Sequence, residues 1–218
     1  MAITAKKSSN EQRELIPSGN YVARCYKMIE IGTVPTEYLG QEKMTHKVRF
    51  GWELPTELKV FNPEKGEQTL VIDKEYTLSL ADKANLRKDL KSWRGKDFTD
   101  AEAEAFDVTK LLGVQCLINI IHINGKKDPT KVYEAIGSIS PLPKGMECPK
   151  QINPTFVFDF ENFDFSKYNS LPQFIREKIA TSNEYKVLHD LPEINPHPSA
   201  VDSYMKEKDD SDNAELAF

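Results

Sequence analysis

Residues 43–54, KMTHKVRFGWEL, alternate between apolar and polar side chains. The apolar positions are Met44, Val48, Phe50, Trp52 and Leu54. The intervening positions carry Lys43, Thr45, Lys47 and Arg49. Because successive side chains of a β-strand point to opposite faces, the pattern predicts a strand with one buried and one solvated face. Such strands are typical of antiparallel sheets, whereas the strands of parallel α/β proteins are buried on both faces.

Four further segments have the composition of strands and are bounded by turn residues. They cover residues 19–32, 68–80, 114–123 and 131–142. A helix is predicted after the third strand, because apolar residues repeat there at helical spacing, at Leu86, Leu90 and Trp93. This order predicts a mainly β fold, an OB-fold-like five-stranded barrel with a helix between strands 3 and 4. Another antiparallel barrel of five to seven strands is the alternative.

Capping residues predict where the helices begin. Ser79 and Asp82 have the spacing of a capping box for the first helix. Thr99 is predicted to cap a second, short helix. A third helix is predicted over residues 171–186, with Pro172 at its first position.

Composition and charge divide the chain into four predicted parts. They are a flexible N-terminal arm (1–17), an OB-fold-like nucleic-acid-binding domain (18–149), an aromatic-rich extension whose short helix packs on the barrel or a partner (150–190), and a disordered acidic tail (191–218). Residues 1–149 hold 22 Lys and Arg against 21 Asp and Glu, whereas residues 150–218 hold 7 against 13. The net charge of -5 therefore lies in the C-terminal third, and a local cationic face on the body is compatible with a polyanionic ligand.

One face of the predicted barrel carries the residue types that bind single-stranded nucleic acid. OB-folds bind oligonucleotides or sugars on strands 2 and 3 and the flanking loops. Cations at alternate positions neutralise phosphates, and aromatic rings stack on bases. The candidate DNA-binding residues are Arg24, Tyr26, Lys43, Lys47, Arg49, Lys74, Tyr76, Arg87, Lys88, Arg94, Lys126 and Lys127. The alternative for each cation is an ordinary solvated surface position.

The sequence contains no motif of catalysis or cofactor binding. It has no GxxxxGK[ST] loop and no GxGxxG after a strand, and its four histidines lack metal-ligand spacing. We therefore predict that the chain is not an enzyme and binds no metal or cofactor, with a Mg²⁺-dependent nuclease as the least favoured alternative. Three separated cysteines, no signal peptide and no long apolar run predict a cytoplasmic protein without a membrane partner.

The predicted barrel, the linker and the acidic end together resemble the single-stranded-DNA-binding proteins of bacteria and bacteriophages. Residues 79–99 and 171–185 also resemble stretches of phage replication and recombination proteins. The resemblance implies a phage protein that coats single-stranded DNA, without sequence preference, in the cytoplasm of the bacterial host.

The resemblance also implies a role for the acidic tail. The tail would recruit replication proteins, namely a polymerase, a helicase or primase, or a recombinase. Its contact residues would be Asp209, Asp210, Asp212, Glu215 and Phe218. Bacterial members usually end in Pro-Phe, whereas this chain ends in Leu-Ala-Phe. A homodimer is compatible with the sequence, and a protein–protein adaptor or inhibitor built on the same barrel is the alternative of a different class.

Overall fold

The computed structural model describes residues 14–38, 40–125 and 128–189. The strands in these ranges are β1 (Gly19–Tyr38), β2 (Gln41–Asn62), β3 (Gly66–Thr77), β4 (Gln115–Asn124), β5 (Val132–Ser140) and β6 (Phe156–Phe158). The helices are α1 (Asn85–Arg94), α2 (Asp100–Glu104), α3 (Phe165–Ser170), α4 (Gln173–Ala180) and α5 (Asn183–His189), with a 3₁₀ turn at Val108–Leu111. Strands account for 44% of the described residues, so the prediction of a mainly β protein is confirmed.

The longer strands form one sheet in the order β3-β2-β1-β4-β5, and β6 pairs with β1. β1 is antiparallel to β4, from Gly19 opposite Ile120 to Arg24 opposite Gln115. β4 and β5 form an antiparallel hairpin. The sheet is curled into an antiparallel half-barrel, and α1 follows β3 in the chain as predicted.

The inner face of the half-barrel carries four of the five apolar residues that the alternation in residues 43–54 predicted; the fifth, Met44, is 44% exposed. The core cluster contains Val48, Phe50, Trp52 and Leu54 of β2, Ile118 and Ile120 of β4, and Leu86, Leu90 and Trp93 of α1. The indole N–H of Trp93 donates to the carbonyl oxygen of Gln115 at 3.0 Å. The apolar face of α1 therefore packs on the sheet, and the indole N–H of Trp93 has a hydrogen-bond partner.

Some boundaries differ from those predicted. β2 continues through Pro55 to Asn62, eight residues beyond Leu54, where the predicted strand ends. α1 begins at Asn85 and has no side-chain cap, so the predicted capping box of Ser79 and Asp82 is wrong. The hydroxyl of Ser79 instead accepts from the N–H of Ala81 within the preceding turn.

Two other helix predictions have different outcomes. Thr99 caps α2 in a capping box with Glu102, as predicted. The single helix predicted over residues 171–186 is two helices, with Pro172 as the N-cap of α4. Ser182 separates them, because its hydroxyl accepts from the N–H of Tyr185 and so caps a new helix, α5.

The chain divides into two compact units. Unit 1 contains residues 1–29 and 48–157, and unit 2 contains residues 30–47 and 158–218. The predicted boundaries placed residues 30–47 with the barrel and ended the barrel at residue 149. The reason for the difference is strand length. β1 has 20 residues and β2 has 22, far more than the usual five or six, so the end of β1 (residues 30–38) and the start of β2 (residues 41–47) belong to unit 2.

Unit 2 is held by aromatic packing and by carboxylates. Phe158, Phe163, Tyr168 and Tyr185 form a cluster of rings whose neighbouring centroids are 5.1–6.2 Å apart. The carboxylate of Glu184 in α5 accepts from the N–H and the hydroxyl of Thr33, both at 2.6 Å. Burial opposes ionisation of Glu184, but these two hydrogen bonds and nearby His46 lower the pKa of its carboxyl group.

Gly32 is required where β1 meets α5 within unit 2. Its φ is +85°, and a Cβ there would lie 2.7 Å from Glu184 Oε2 and 2.8 Å from both Phe160 Cε2 and Ser182 Cβ. Gly32→Ala is expected to lower the free energy of unfolding by about 2–3 kcal/mol, combining backbone strain and overpacking. Urea denaturation followed by circular dichroism measures the loss.

Gly40→Ala is the matched control for Gly32→Ala. Gly40 also has a positive φ, +75°, but nothing lies within 4 Å of its Cβ position. The control should therefore show only the backbone cost of about 1–2 kcal/mol. Equal losses for the two variants would contradict the close packing of α5 on Gly32.

Candidate nucleic-acid interface

Arg24 lies on the outer face of β1 as predicted, but its guanidinium is occupied by the protein's own backbone. The side chains of Ala23 and Cys25, its neighbours along β1, lie in the core. The Arg24 guanidinium donates to the carbonyl oxygens of Gly113 at 2.5 Å, Cys148 at 3.3 Å and Pro149 at 2.8 Å. Arg24 therefore holds a chain segment against the sheet.

That segment, residues 148–153, is called the strap below. A residue of β2 makes a second contact with the strap. Glu53 is 0% exposed, and its carboxylate accepts from the N–H of Ile152 at 2.8 Å and from the N–H and side-chain amide of Asn153 at 2.7 and 2.9 Å. The strap therefore contacts β1 and β2 on the outer face, where the sequence predicted a nucleic-acid groove.

The remaining outer face near the strap carries paired charges. Lys27 Nζ lies 3.0 Å from Asp73 Oδ1, and Arg49 Nε donates to Asp73 Oδ2 at 3.1 Å. Gly51 gives the pair of Lys27 and Asp73 room, since a Cβ there would lie 2.5 Å from Lys27 Cε and 2.6 Å from Asp73 Oδ1. Tyr26 lies beside this pair, with Lys27 Nζ 5.5 Å from its ring centroid. Burial, then Asp73 and Glu53, raise the pKa of the Tyr26 phenol.

The predicted outward placement of Lys74 and Tyr76 on β3 is wrong. Tyr76 is 3% exposed and belongs to the core cluster, and its hydroxyl donates to Asp89 Oδ2 of α1 at 2.7 Å. Lys74 Nζ donates to Asp89 Oδ2 at 2.6 Å and to the carbonyl oxygen of Ile136 in β5 at 3.2 Å. Lys74 therefore ties β3 to α1 and β5, and its ammonium group is used inside the fold.

The cations predicted on α1 fall into two groups. Arg87 donates to Asp82 and Asp97, and Arg94 donates to Glu102, so both guanidinium groups are in ion pairs. Lys88 is exposed, and no hydrogen bond or ion pair to its ammonium occurs within the described ranges.

The other predicted contact residues are divided between unit 2 and undescribed positions. Lys43 is exposed and Lys47 is half-buried, both in unit 2. Lys126 and Lys127 lie outside the described residues, as do all predicted tail contacts: Asp209, Asp210, Asp212, Glu215 and Phe218. Thus the outer face of the sheet carries three of the predicted residues, Arg24, Tyr26 and Arg49. Lys74 and Tyr76 do not lie on that face.

The sheet topology brings two hairpin ends to one end of unit 1. β1 lies between β2 and β4. It is antiparallel to β4 and also to β2, to which a connection of residues 39–40 joins it. β2 and β4 therefore run in the same direction and both end near Gly19, where β1 begins. The β2–β3 and β4–β5 turns lie at this end.

The hairpin end, as we call it, exposes aromatic and aliphatic side chains. Tyr133 of β5 is 50% exposed and lies opposite Ile123 of β4, which is also exposed. The Tyr133 ring lies against Gly125, where a Cβ would be 2.8 Å from Tyr133 Cε2. On β2, Phe61 is 57% exposed, with Lys59 Nζ 6.0 Å from its ring centroid. The exposed residues that define the hairpin end are Leu58, Val60, Phe61, Ile121, Ile123 and Tyr133, together with Lys65 and Lys131 and the half-buried Lys59.

A short N-terminal segment lies between these hairpins. Ile16 is buried in the core; its N–H donates to Glu134 Oε2 of β5 at 2.9 Å, and His122 Nε2 of β4 donates to its carbonyl oxygen at 2.8 Å. Glu14 forms an ion pair with Lys59 of β2. Residues 14–16 therefore connect β2, β4 and β5 at the hairpin end.

Only part of this surface could be predicted from the sequence. Tyr133 stands close to the predicted contact residues Lys126 and Lys127 in the sequence. Phe61 was missed because the predicted strand ends at Leu54, whereas β2 continues to Asn62.

The described ranges contain no group of three or more His, Cys, Asp or Glu residues suited to hold a metal ion. None of the helices in those ranges combines the length and apolar character needed to cross a bilayer. The sequence matches no model of a known protein family, and a search of curated proteins finds no match.

Proposed function

We propose that unit 1 binds single-stranded DNA and that bases stack on the hairpin end. The observation that carries this proposal is the half-exposed ring of Tyr133, set among exposed aliphatic side chains on the β4–β5 hairpin. Base–aromatic stacking contributes about 1–3 kcal/mol per base and accepts any base, because every base has a π-face. Phe61, with its neighbour Lys59, offers a second ring of the same kind.

We also propose that the half-barrel is an OB-fold. In support, the sheet order places β1 between β2 and β4, and Lys74 of β3 donates to the backbone of β5. Following these links gives the path β1-β2-β3-β5-β4 and back to β1, which suits a five-stranded Greek-key barrel. In OB-folds the loop between strands 4 and 5 takes part in ligand binding, and Tyr133 lies at the start of β5.

The distribution of charge between the units supports a polyanionic ligand for unit 1. The sequence of unit 1 has 21 Lys and Arg against 18 Asp and Glu, a net charge of +3. The sequence of unit 2 has 8 against 16, a net charge of -8. A cationic unit attracts a phosphate backbone, and the acidic one repels it.

The wider role follows the resemblance stated above. We propose a non-enzymatic phage protein of DNA replication and recombination, acting in the host cytoplasm. In this role the tail residues Asp209, Asp210, Asp212, Glu215 and Phe218 recruit a polymerase, a helicase or primase, or a recombinase.

Tyr133→Ala tests the proposal. In fluorescence anisotropy titrations with a labelled oligo-dT, the full chain should bind, and Tyr133→Ala should bind roughly 5- to 150-fold more weakly, which corresponds to about 1–3 kcal/mol. Phe174→Ala is the matched control, since Phe174 is 59% exposed on α4 of unit 2. It should leave the affinity unchanged. No binding of the oligonucleotide by the full chain, or equal losses for the two variants, would overturn the proposal.

A protein-binding role is the second candidate. The observation that favours it is the pairing of Arg24, Lys74 and Arg87 inside unit 1, which leaves those cations unable to neutralise phosphates. The exposed aliphatic residues of the hairpin end would then dock on a partner protein. The same titration separates the two candidates, because an adaptor or inhibitor does not bind oligo-dT.

A further inference from the structure

The strap leaves one donor of Arg24 unused. Arg24 Nη1 donates to the carbonyl oxygen of Gly113 at 2.5 Å, and Arg24 Nη2 donates to the strap oxygens of Cys148 at 3.3 Å and Pro149 at 2.8 Å. Arg24 Nε is buried and has no hydrogen-bond acceptor among the described residues. Nε and Nη2 together form an edge of the guanidinium that binds phosphate oxygens through two parallel hydrogen bonds. The strap therefore occupies one half of an anion-binding edge, and the other half has no partner.

Polar contacts hold the strap on the sheet. They come from two side chains of the outer face, Arg24 and the buried Glu53. No residue of the described strap belongs to the core cluster, and Ile152 is 51% exposed. Residues 141–155, all of which the structure describes, contain no helix or strand. Because segments with few buried apolar contacts open locally, the strap can detach while the half-barrel stays folded.

We propose that the strap is a displaceable cover of the nucleic-acid interface. It closes over Arg24 in the free protein, and it detaches when a single strand stacked on the hairpin end extends across β1 and β2. This inference rests on the proposed function and names a regulation of the same site. The strap is then an autoinhibitory contact, because its carbonyl oxygens occupy the donor that a phosphate would use.

The geometry keeps Arg24 in place after the strap detaches. The N–H of Gly113 donates to the carbonyl oxygen of Cys25 in β1 at 2.7 Å, and the carbonyl oxygen of Gly113 holds Arg24 Nη1. Neither contact involves the strap. Nε and Nη2 therefore become free together, on a guanidinium that is already positioned, and both can donate to one phosphate.

Hydrogen exchange of the unaltered full chain tests the detachment. The amides of Ile152 and Asn153 donate to Glu53 while the strap is closed. At saturating oligo-dT they should exchange faster than in the free protein, because binding opens the strap. A strand that bound over a closed strap would slow their exchange or leave it as it is. Slower or unchanged exchange of these two amides would therefore show that the inference is wrong.

Two variants of the full chain test the effect of the strap on affinity. Glu53→Ala removes its acceptor together with one negative charge, whereas Asn153→Asp adds a negative charge that Glu53 repels. A minor conformation is populated at about 0.1–10%, and an affinity that requires it rises by the inverse of that fraction when it becomes the main state. Both variants should therefore bind oligo-dT at least about tenfold more tightly, although their charges change in opposite directions.

Glu147→Ala is the matched control, because it removes the same charge as Glu53→Ala at an exposed residue next to the strap. It should leave the affinity unchanged. Adding Arg24→Gln to Asn153→Asp should remove the gain, since the freed edge is then absent. A gain that persists without Arg24, or a gain in Glu53→Ala alone, would contradict the inference.

The failure of this inference is distinguishable from failure of the proposed function. If neither strap variant binds more tightly while Tyr133→Ala still weakens binding, the strap is a fixed part of the fold and the proposed function stands. If the unaltered protein does not bind oligo-dT, both are overturned.

Discussion

Trp93→Ala is expected to lower the free energy of unfolding by about 3–5 kcal/mol. Trp93 is buried in the core cluster, where its ring centroid lies 6.0 Å from that of Trp52. Its removal leaves a cavity between α1 and the sheet, and it also leaves the carbonyl oxygen of Gln115 without the indole donor. Both changes destabilise the packing of α1 on the half-barrel.

Urea denaturation followed by circular dichroism measures the effect of Trp93→Ala. The control is Lys88→Ala, because Lys88 is an exposed residue of the same helix. An exposed change of this kind should alter stability by no more than about 0.5 kcal/mol. Wild-type stability combined with lost oligonucleotide binding would contradict the assignment of Trp93 to the core and would make it a stacking surface.

Glu53→Ala is expected to lower the free energy of unfolding by about 3–4 kcal/mol. The variant leaves two backbone N–H groups and one amide of Ile152 and Asn153 without their acceptor. A hydrogen bond to a charged group contributes about 1.5–3 kcal/mol. The expected loss of stability is smaller than three times that value for two reasons. The amides of a detached strap can form hydrogen bonds with water, and the variant has no buried carboxylate whose desolvation opposes folding.

Two further measurements locate the effect of Glu53→Ala. Hydrogen exchange should show faster exchange of the Ile152 and Asn153 amides than in the unaltered protein. Glu57→Ala is the control, because Glu57 is on the same strand and the hydrogen bond that it accepts from the hydroxyl of Thr56 is at the surface. Unchanged exchange at the strap in Glu53→Ala would contradict the assignment of Glu53 as its anchor.

The sequence predicted the elements whose pattern is local. The alternation in β2 placed Phe50 and Trp52 in the core, and helical spacing placed Leu90 and Trp93 beside them. Both patterns arise because one face of the element packs in the core and the opposite face contacts water. Residues that are close in the sequence are therefore sufficient to show the pattern. The order of β-strands around α1 follows from the same patterns.

The sequence could not show contacts that depend on distant partners. On β3, Lys74 lies on the same face as the buried residues Ile72 and Tyr76. A lysine at such a position makes the buried face hard to recognise from the sequence. The ammonium group of Lys74 donates to Asp89 and to a backbone oxygen of β5. The periodicity of the sequence predicts neither of these partners. The strap is a similar case, although the single acid Glu53 between apolar neighbours was an available sign.

Some residues of the face predicted to bind DNA therefore have structural contacts instead. Arg24 binds the strap, and Arg49 with Lys27 binds Asp73. The sequence pattern predicts that cations on a solvated strand are free, but Asp73 of β3 pairs with Lys27 and Arg49, and backbone oxygens of the strap accept from Arg24. In the proposed function, the exposed rings of Phe61 and Tyr133 stack on the bases instead.

Ultraviolet cross-linking of the full chain to oligo-dT, followed by mass spectrometry of the digested complex, tests the proposed interface most directly. Single-strand binding on the hairpin end predicts cross-linked peptides that contain Phe61 or Tyr133, and their yield should fall in Tyr133→Ala. Cross-links confined to unit 2 or to α1, with none in residues 57–67 or 128–135 at saturating oligonucleotide, would contradict it.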